Sequence, residues 1–147
     1  MIIGGGIIGC SIAYHLARSG EKDVVLLERE SLTEGATWHA AGLVGQLRSS
    51  RNTTRMLQKS VAMYDRLQND EGFQFDWKKT GSLRLAATKE RLLEAKRLAT
   101  MARSFNLDMH IIDPAEAKEL FPLIDDKGLE GAAFIPSDGY VDPASLT

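Results

Sequence analysis

The run Met1-Ile2-Ile3-Gly4-Gly5-Gly6-Ile7-Ile8-Gly9 constrains this chain more than any other feature. An apolar stretch ends there in G-x-G-x-x-G, and an acid, Glu28, closes the next apolar run, Val24-Val25-Leu26-Leu27. Glycine marks any tight turn, so the phrase gains weight only with a strand before it, a helix after it and an acid about 20 residues on. All three are present, since Glu28 lies nineteen positions past Gly9. The pattern predicts a dinucleotide-binding βαβ unit. In such a unit Gly4 turns the strand sharply, Gly6 lacks the Cβ that would block a pyrophosphate, and Gly9 lets helix and strand pack closely. Glu28 then stands where a carboxylate accepts hydrogen bonds from ribose hydroxyls.

The helix after the turn is expected over Ile7 to Ser19. Ile8, Ile12 and Leu16, with Ala13 and Ala17 beside them, are expected to face a sheet, and Gly20 to close the helix. The net charge of −2 over 147 residues offers no electrostatic footprint for nucleic acid. No apolar run approaches the ~20 residues of a membrane span. A single cysteine, Cys10, excludes an internal disulfide and a multi-thiolate metal site. Only Met1 to Ile3 precede the glycine turn, and Asp142-Pro143 opens a helix that the chain follows for about one turn. These ends read as those of an N-terminal segment of a longer protein, from which any leader would already be missing.

Beyond Glu28 lies a polar, glycine-containing loop to Gly45. A helix is expected over Asn52 to Gln68 from Leu57, Val61, Tyr64 and Leu67. Phe73, Phe75 and Trp77 alternate with polar residues, as do Leu83 and Leu85 with Arg84, and the two runs read as paired antiparallel strands. Thr88 caps a second long helix reaching Phe105, with Leu92, Ala95, Ala99, Ala102 and Phe105 on one face. A strand at Met109 to Ile112, a short helix opened by Asp113-Pro114-Ala115-Glu116 and closed before Pro122, and a strand at Ala132 to Ile135 complete the pattern. Arg48, Arg51, Arg55 and Lys59 recur at helical spacing; the stripe reads first as a solvated face, with attraction of a substrate carboxylate as its functional alternative.

The first βαβ unit is common to nicotinamide and flavin enzymes, so the loop after Glu28 has to discriminate. Gly35-Ala36-Thr37-Trp38-His39-Ala40-Ala41-Gly42-Leu43 sets a hydroxyl, an indole and an imidazole among small residues, which suits a backbone running beside a flat ligand. A lone loop histidine is ordinarily a solvated or hydrogen-bonded side chain.

With Ile3-Gly4-Gly5-Gly6, Asp23 to Arg29, Gly35 to Leu43 and Asp138-Gly139-Tyr140-Val141-Asp142-Pro143 together, the chain resembles the dimethylglycine and sarcosine dehydrogenases, FAD enzymes of the glycine or D-amino-acid oxidase superfamily. The resemblance implies an α/β fold: a Rossmann-like FAD-binding βαβ unit followed by part of an antiparallel α+β substrate domain. The divisions expected are 1–50 for the first part of the FAD-binding domain, 51–137 for the partial substrate domain and 138–147 for a return to the first. It implies FAD against Gly4, Gly6, Ile7, Ile8, Gly9, Glu28, Arg29 and the stretch Gly35, Ala36, Thr37, Trp38, His39, Ala40, Ala41, Gly42 and Leu43. It further implicates His39 in a covalent bond to the flavin, a role that a neutral imidazole nitrogen can fill as a nucleophile. Arg29 reads equally as a solvated charge at a strand end.

The reaction implied is hydride transfer to flavin from the N-methyl group of a small amine of the sarcosine or dimethylglycine type. Oxygen or an electron-transfer flavoprotein would be the acceptor, and tetrahydrofolate a possible one-carbon acceptor in the full-length protein. The setting implied is cytoplasmic in a bacterium and the mitochondrial matrix in a eukaryote. No catalytic residue and no metal ligand is assigned within these residues. A non-catalytic regulatory subunit built on the same fold is the alternative. A nicotinamide-linked oxidoreductase has little support from the Trp38-His39 loop.

Overall fold

The structure, a computed structural model, describes all 147 residues. The chain opens with β1 (Ile2–Ile3), α1 (Ile7–Arg18) and β2 (Leu26–Leu27), and β1 pairs with β2 in parallel, Ile2 opposite Leu26 and Ile3 opposite Leu27. This is the expected βαβ crossing. Gly4 takes a φ of +105°, a conformation that L side chains rarely adopt, and a Cβ on Gly9 would lie 1.9 Å from the Gly4 carbonyl oxygen. The close approach of helix to strand therefore requires glycine at position 9. At its far end α1 closes in a Schellman arrangement, with Gly20 N–H on Ala17 O, Glu21 N–H on Leu16 O and Gly20 at φ +95°.

The apolar stripe of α1 departs from expectation. Ile8, Ile12 and Leu16 were expected against a sheet, yet Ile8 is 74% exposed and the other two are also classed as exposed. The reason is geometric: the two-stranded β1–β2 sheet reaches the helix at Gly9 but is too narrow to cover the neighbouring stripe.

Past the loop, β3 (Leu43–Val44) leads toward α2 (Arg51–Asn69), and β4 (Ser82–Ala86) follows. The expected hairpin between residues 73–77 and 82–86 is replaced by other pairings. Segment 73–77 forms no strand, and its end is held by α2 instead. The Gln68 side-chain amide accepts from Trp77 N–H at 3.1 Å and donates to Trp77 O at 3.3 Å, as a neighbouring strand would, while Trp77 Nε1 donates to Asp65 at 2.8 Å. The indole is thereby buried with Val61 and Val141.

The second half is built from α3 (Lys89–Ser104), β5 (His110–Ile112), α4 (Pro114–Leu120) and β6 (Gly131–Ile135). Thr88 caps α3 by accepting from Arg91 N–H at 3.2 Å, and Asp113 and Glu116 form a reciprocal capping box on α4. β6 is the central strand of an antiparallel sheet in the order β4-β6-β5, with Arg84 opposite Ala133 and Ile111 opposite Ala133 on the other side. Ala95, Ala99 and Ala102 of α3 pack with Ala133 and Ile135 of β6, together with Leu47, Leu107 and Met109. Small side chains on helix and strand let the two layers approach closely. The chain then returns through β7 (Gly139–Tyr140) to β3, with Leu43 opposite Tyr140, and ends in α5 (Pro143–Leu146), capped by Asp142.

Candidate cofactor-binding site

The N-terminus of α1 is the focus of the candidate site. Its first N–H, on Ile7, is accepted by Thr37 Oγ1 at 3.1 Å, thirty residues away in sequence. The N–H groups of Gly6, Ile8 and Gly9 have no partner within the chain. Unpaired donors at a helix N-terminus, with the helix dipole behind them, favour an anion. A Cβ on Gly6 would come to 2.8 Å from Thr37 Oγ1, so the turn and the loop hydroxyl fit together only without a side chain there.

Glu28 stands on the strand side of the turn. One carboxylate oxygen accepts from Gly5 N–H, and the other accepts from Arg29 N–H at 2.7 Å and Glu30 N–H at 3.2 Å. These backbone donors, Gly5 first, hold its carboxyl below the ordinary glutamate range. Three of about four acceptor positions are thus used by the protein itself, and one is left for a further donor. Arg29 is almost fully exposed and pairs only with Glu30, at 3.4 Å.

The loop phrase divides. Thr37, Ala40, Ala41, Gly42, Leu43 and Val44 join Ile7, Tyr64, Val141, Pro143 and Leu146 around a cleft of about 310 Å³, predominantly apolar. That volume and lining suit part of a flat cofactor. Gly42 is held at φ +71°, with its carbonyl accepting from Val141 N–H at 2.9 Å, and a Cβ there would meet the Val141 carbonyl oxygen. Trp38 and His39 are on the exposed side of the loop. Trp38 Nε1 donates to Glu34 O at 3.0 Å, and His39 Nδ1 lies 3.1 Å from Gly35 O. Their rings stack with centroids 3.9 Å apart and a 36° tilt. A carbonyl oxygen only accepts, so in this contact Nδ1 is the donor and Nε2 is the ring nitrogen left without a partner in the chain.

The structure thus brings Gly6, Ile7, Thr37 and residues 40–43 together, and places Gly4, Gly9 and Glu28 around the turn. Ile8, Arg29, Gly35, Ala36, Trp38 and His39 stand at the surface. Five cleft residues, Val44, Tyr64, Val141, Pro143 and Leu146, received no site role from the sequence. Tyr64 lines the cleft from α2, where burial raises its phenol above the ordinary tyrosine range, and Val141 closes the cleft from beyond β7. Tyr64 had been visible only as one apolar position of a helical stripe.

Over residues 1–147 the chain matches the family model described as FAD dependent oxidoreductase. The chain belongs to that family. It is 41% identical over 145 residues to mitochondrial sarcosine dehydrogenase of Mus musculus, which covers 98% of the chain and 16% of that relative. It is 42% identical over 147 residues to mitochondrial dimethylglycine dehydrogenase of Rattus norvegicus, covering 100% of the chain and 17% of that relative. A mitochondrial pyruvate dehydrogenase phosphatase regulatory subunit of Mus musculus is 37% identical, with 99% of the chain and 17% of that relative covered. Among solved structures, L-proline dehydrogenase from P. horikoshii superposes with a TM-score of 0.89 and 33% identity over 97% of this chain and 37% of that one. The chain therefore spans about one sixth of the length of these two mitochondrial dehydrogenases. The mixed architecture is that of the family's fold. No helix is long and apolar enough to cross a membrane.

Proposed function

We propose that the protein containing this chain binds FAD at the α1 turn and oxidises the N-methyl group of a small amine of the sarcosine or dimethylglycine type. The observation that carries this reading is the convergence of unpaired helix N–H groups, Thr37 and the 40–44 segment on one cleft. Gly6, Ile8 and Gly9 N–H groups and the Thr37 hydroxyl are the donors for a pyrophosphate. Glu28 holds the turn through Gly5 and has acceptor capacity for ribose. Leu43 and Val44 supply apolar contact for a ring system.

His39 is the proposed point of covalent attachment, through Nε2, since Nδ1 is engaged by Gly35 O. Gly35, Ala36 and Trp38 orient that imidazole through the loop they share with it. Bound FAD supplies the two-electron acceptor for hydride leaving the N-methyl carbon. The protein's own task is to hold that carbon against the cofactor with water excluded. The domain boundaries at 50 and 137 belong to the same reading, supported by the β3–β7 pairing that carries residues 139–140 back to the loop strand. So do a mitochondrial or bacterial cytoplasmic setting, electron transfer to a flavoprotein or oxygen, and tetrahydrofolate as a one-carbon acceptor in the full-length protein.

The test is to purify the intact protein and measure dye reduction and formaldehyde release with sarcosine and dimethylglycine. Turnover with either supports the reading. Stoichiometric flavin without turnover on any N-methyl amine would favour a regulatory role, which the similarity to a phosphatase regulatory subunit makes a specific second reading.

A further inference from the structure

We propose that Asp138 is a positioning residue of the cofactor cleft, whose buried negative charge lowers the reduction potential of the flavin bound there. This goes beyond the FAD-binding reading and rests on it. Asp138 is the one acidic side chain among the buried polar residues, at 2% exposed, and nothing in the chemistry assigned above uses it. It stands where the chain turns back toward the cofactor half. Its neighbour Gly139 in β7 lies opposite Val44 of β3, and Val44 is a wall of the cofactor cleft. Asp138 and Val44 also border one cavity of about 570 Å³, together with Leu43 and Tyr140. The carboxylate is therefore one strand away from the cleft.

Three segments meet on this side chain. One carboxylate oxygen accepts from Gln46 N–H and from Gln46 Nε2, each at 3.0 Å, and the other accepts from Ser82 Oγ at 2.7 Å. Gln46 is itself buried and donates its other amide hydrogen to Ser137 Oγ at 2.8 Å. The Asp138 carbonyl accepts from Gly81 N–H at 2.8 Å. The segment leaving β3, the start of β4 and the turn into β7 are thus joined at one residue. That junction sets the strand carrying Leu43 and Val44 against the sheet of the second half.

Position alone does not require an acid. Asparagine has the same shape, accepts from Gln46 through its oxygen and donates from its amide to Ser82 Oγ, because a hydroxyl both donates and accepts. A buried carboxylate costs more than a buried amide unless it is paired, and Asp138 belongs to no ion pair of the chain. The charge therefore needs a use, and its field supplies one. The cations bordering this region, Arg48 across Gly45 and Arg84 on the shared cavity, are both exposed, where water and salt screen them. A buried charge is screened much less. At a separation of about 10 Å and an effective dielectric of about 20, one negative charge disfavours the arrival of a second by on the order of tenfold. Reduction of flavin brings electrons into the cleft behind Val44, and Asp138 opposes it.

The experiment uses the intact protein and measures the two-electron potential of its bound flavin, by reduction with dithionite in equilibrium with a reference dye, for wild type, Asp138→Asn and Ser82→Ala. Bound flavin and urea midpoints are recorded on the same samples. In Asp138→Asn the reduction equilibrium is expected to shift toward reduced flavin by about tenfold, a rise of about 30 mV for two electrons, with flavin still bound. Ser82→Ala removes a neutral donor and keeps the charge, so its potential should not rise, whatever its stability. An Asp138→Asn potential equal to that of wild type, or an equal rise in Ser82→Ala, overturns the proposal, because the network then acts through shape alone. Loss of flavin from Asp138→Asn overturns it too, since the carboxylate then assembles the cleft without tuning it. Absence of flavin from the wild-type protein overturns the cofactor reading and this inference with it, whereas an unmoved potential with flavin bound overturns this inference and leaves that reading standing.

Discussion

The two halves of this chain solve the burial problem differently. On the α3 side of β6 the sheet is covered: Ala102 is fully buried, Ile135 is 1% exposed, and α3 packs on the sheet with alanines. Around β1 and β2 the apolar side chains are bare, with Ile3 at 79% exposed and Ile8 at 74%. The half with the more diagnostic sequence is the half with less buried surface. A glycine turn is specified by local geometry, close approach and φ sign, which need no large core. A sheet-and-helix layer is specified by burial, which needs many residues at once. The cofactor cradle is consequently held by a few hydrogen bonds, Glu28 on Gly5 and Thr37 on Ile7, while the larger buried core lies in the second half.

The largest expected effect separates the halves directly. Ile135→Ala should destabilise the chain by about 3 kcal/mol, as removal of a fully buried branched side chain does. Ile8→Ala should change stability by no more than about 0.5 kcal/mol, the range for exposed positions. Urea denaturation followed by far-ultraviolet circular dichroism measures both, and equal losses would erase the contrast. Next in size is Gly9→Ala, whose Cβ would sit 1.9 Å from a backbone oxygen. A cost of about 2 kcal/mol is expected from the forced separation of helix and strand, together with loss of flavin from the intact protein. Wild-type flavin content in that variant would show that the turn tolerates opening.

A smaller effect lies in pH dependence. The Glu28 carboxyl is held low by backbone donors, so its contribution is complete above the ordinary carboxylate range and is lost as pH falls through its depressed value. The stability difference between wild type and Glu28→Gln should be greatest near neutrality and shrink below about pH 4. A difference that grew on acidification would reverse the assignment of Glu28 as a charged acceptor. The smallest effect expected is a gain. Thr33, a β-branched residue, is held at φ +75°, and Thr33→Gly should stabilise the loop by about 1 kcal/mol by relieving that strain. Thermal denaturation of the pair would register it as a rise in Tm.

Much of this architecture is legible in the residues themselves. The βαβ crossing, the Thr88 and Asp113 caps and the alanine face of α3 each follow from a local pattern, because caps and periodic faces act over three or four residues. The failures have a common physical form. Phe73 to Trp77 alternates as a strand does, but its partner is a glutamine side chain on α2, and alternation does not specify what satisfies the backbone. Ile8, Ile12 and Leu16 form a proper apolar stripe, but a stripe states a demand for cover and not its supplier. In the candidate site, the glycines and Glu28 were readable from spacing. Thr37 on Ile7, and Tyr64 beside Ile7 and Val141 in the cleft, depend on contacts between residues thirty or more positions apart, which no local pattern carries.

The central claim, a flavin site assembled from the α1 turn and the loop bearing His39, is tested most directly by denaturing the intact protein in acid and following flavin fluorescence on a gel. The wild-type band should retain flavin, and His39→Ala should release it while binding it before denaturation. Flavin that stays with the denatured His39→Ala protein would contradict attachment at His39, and no flavin in either native protein would contradict the site as a whole.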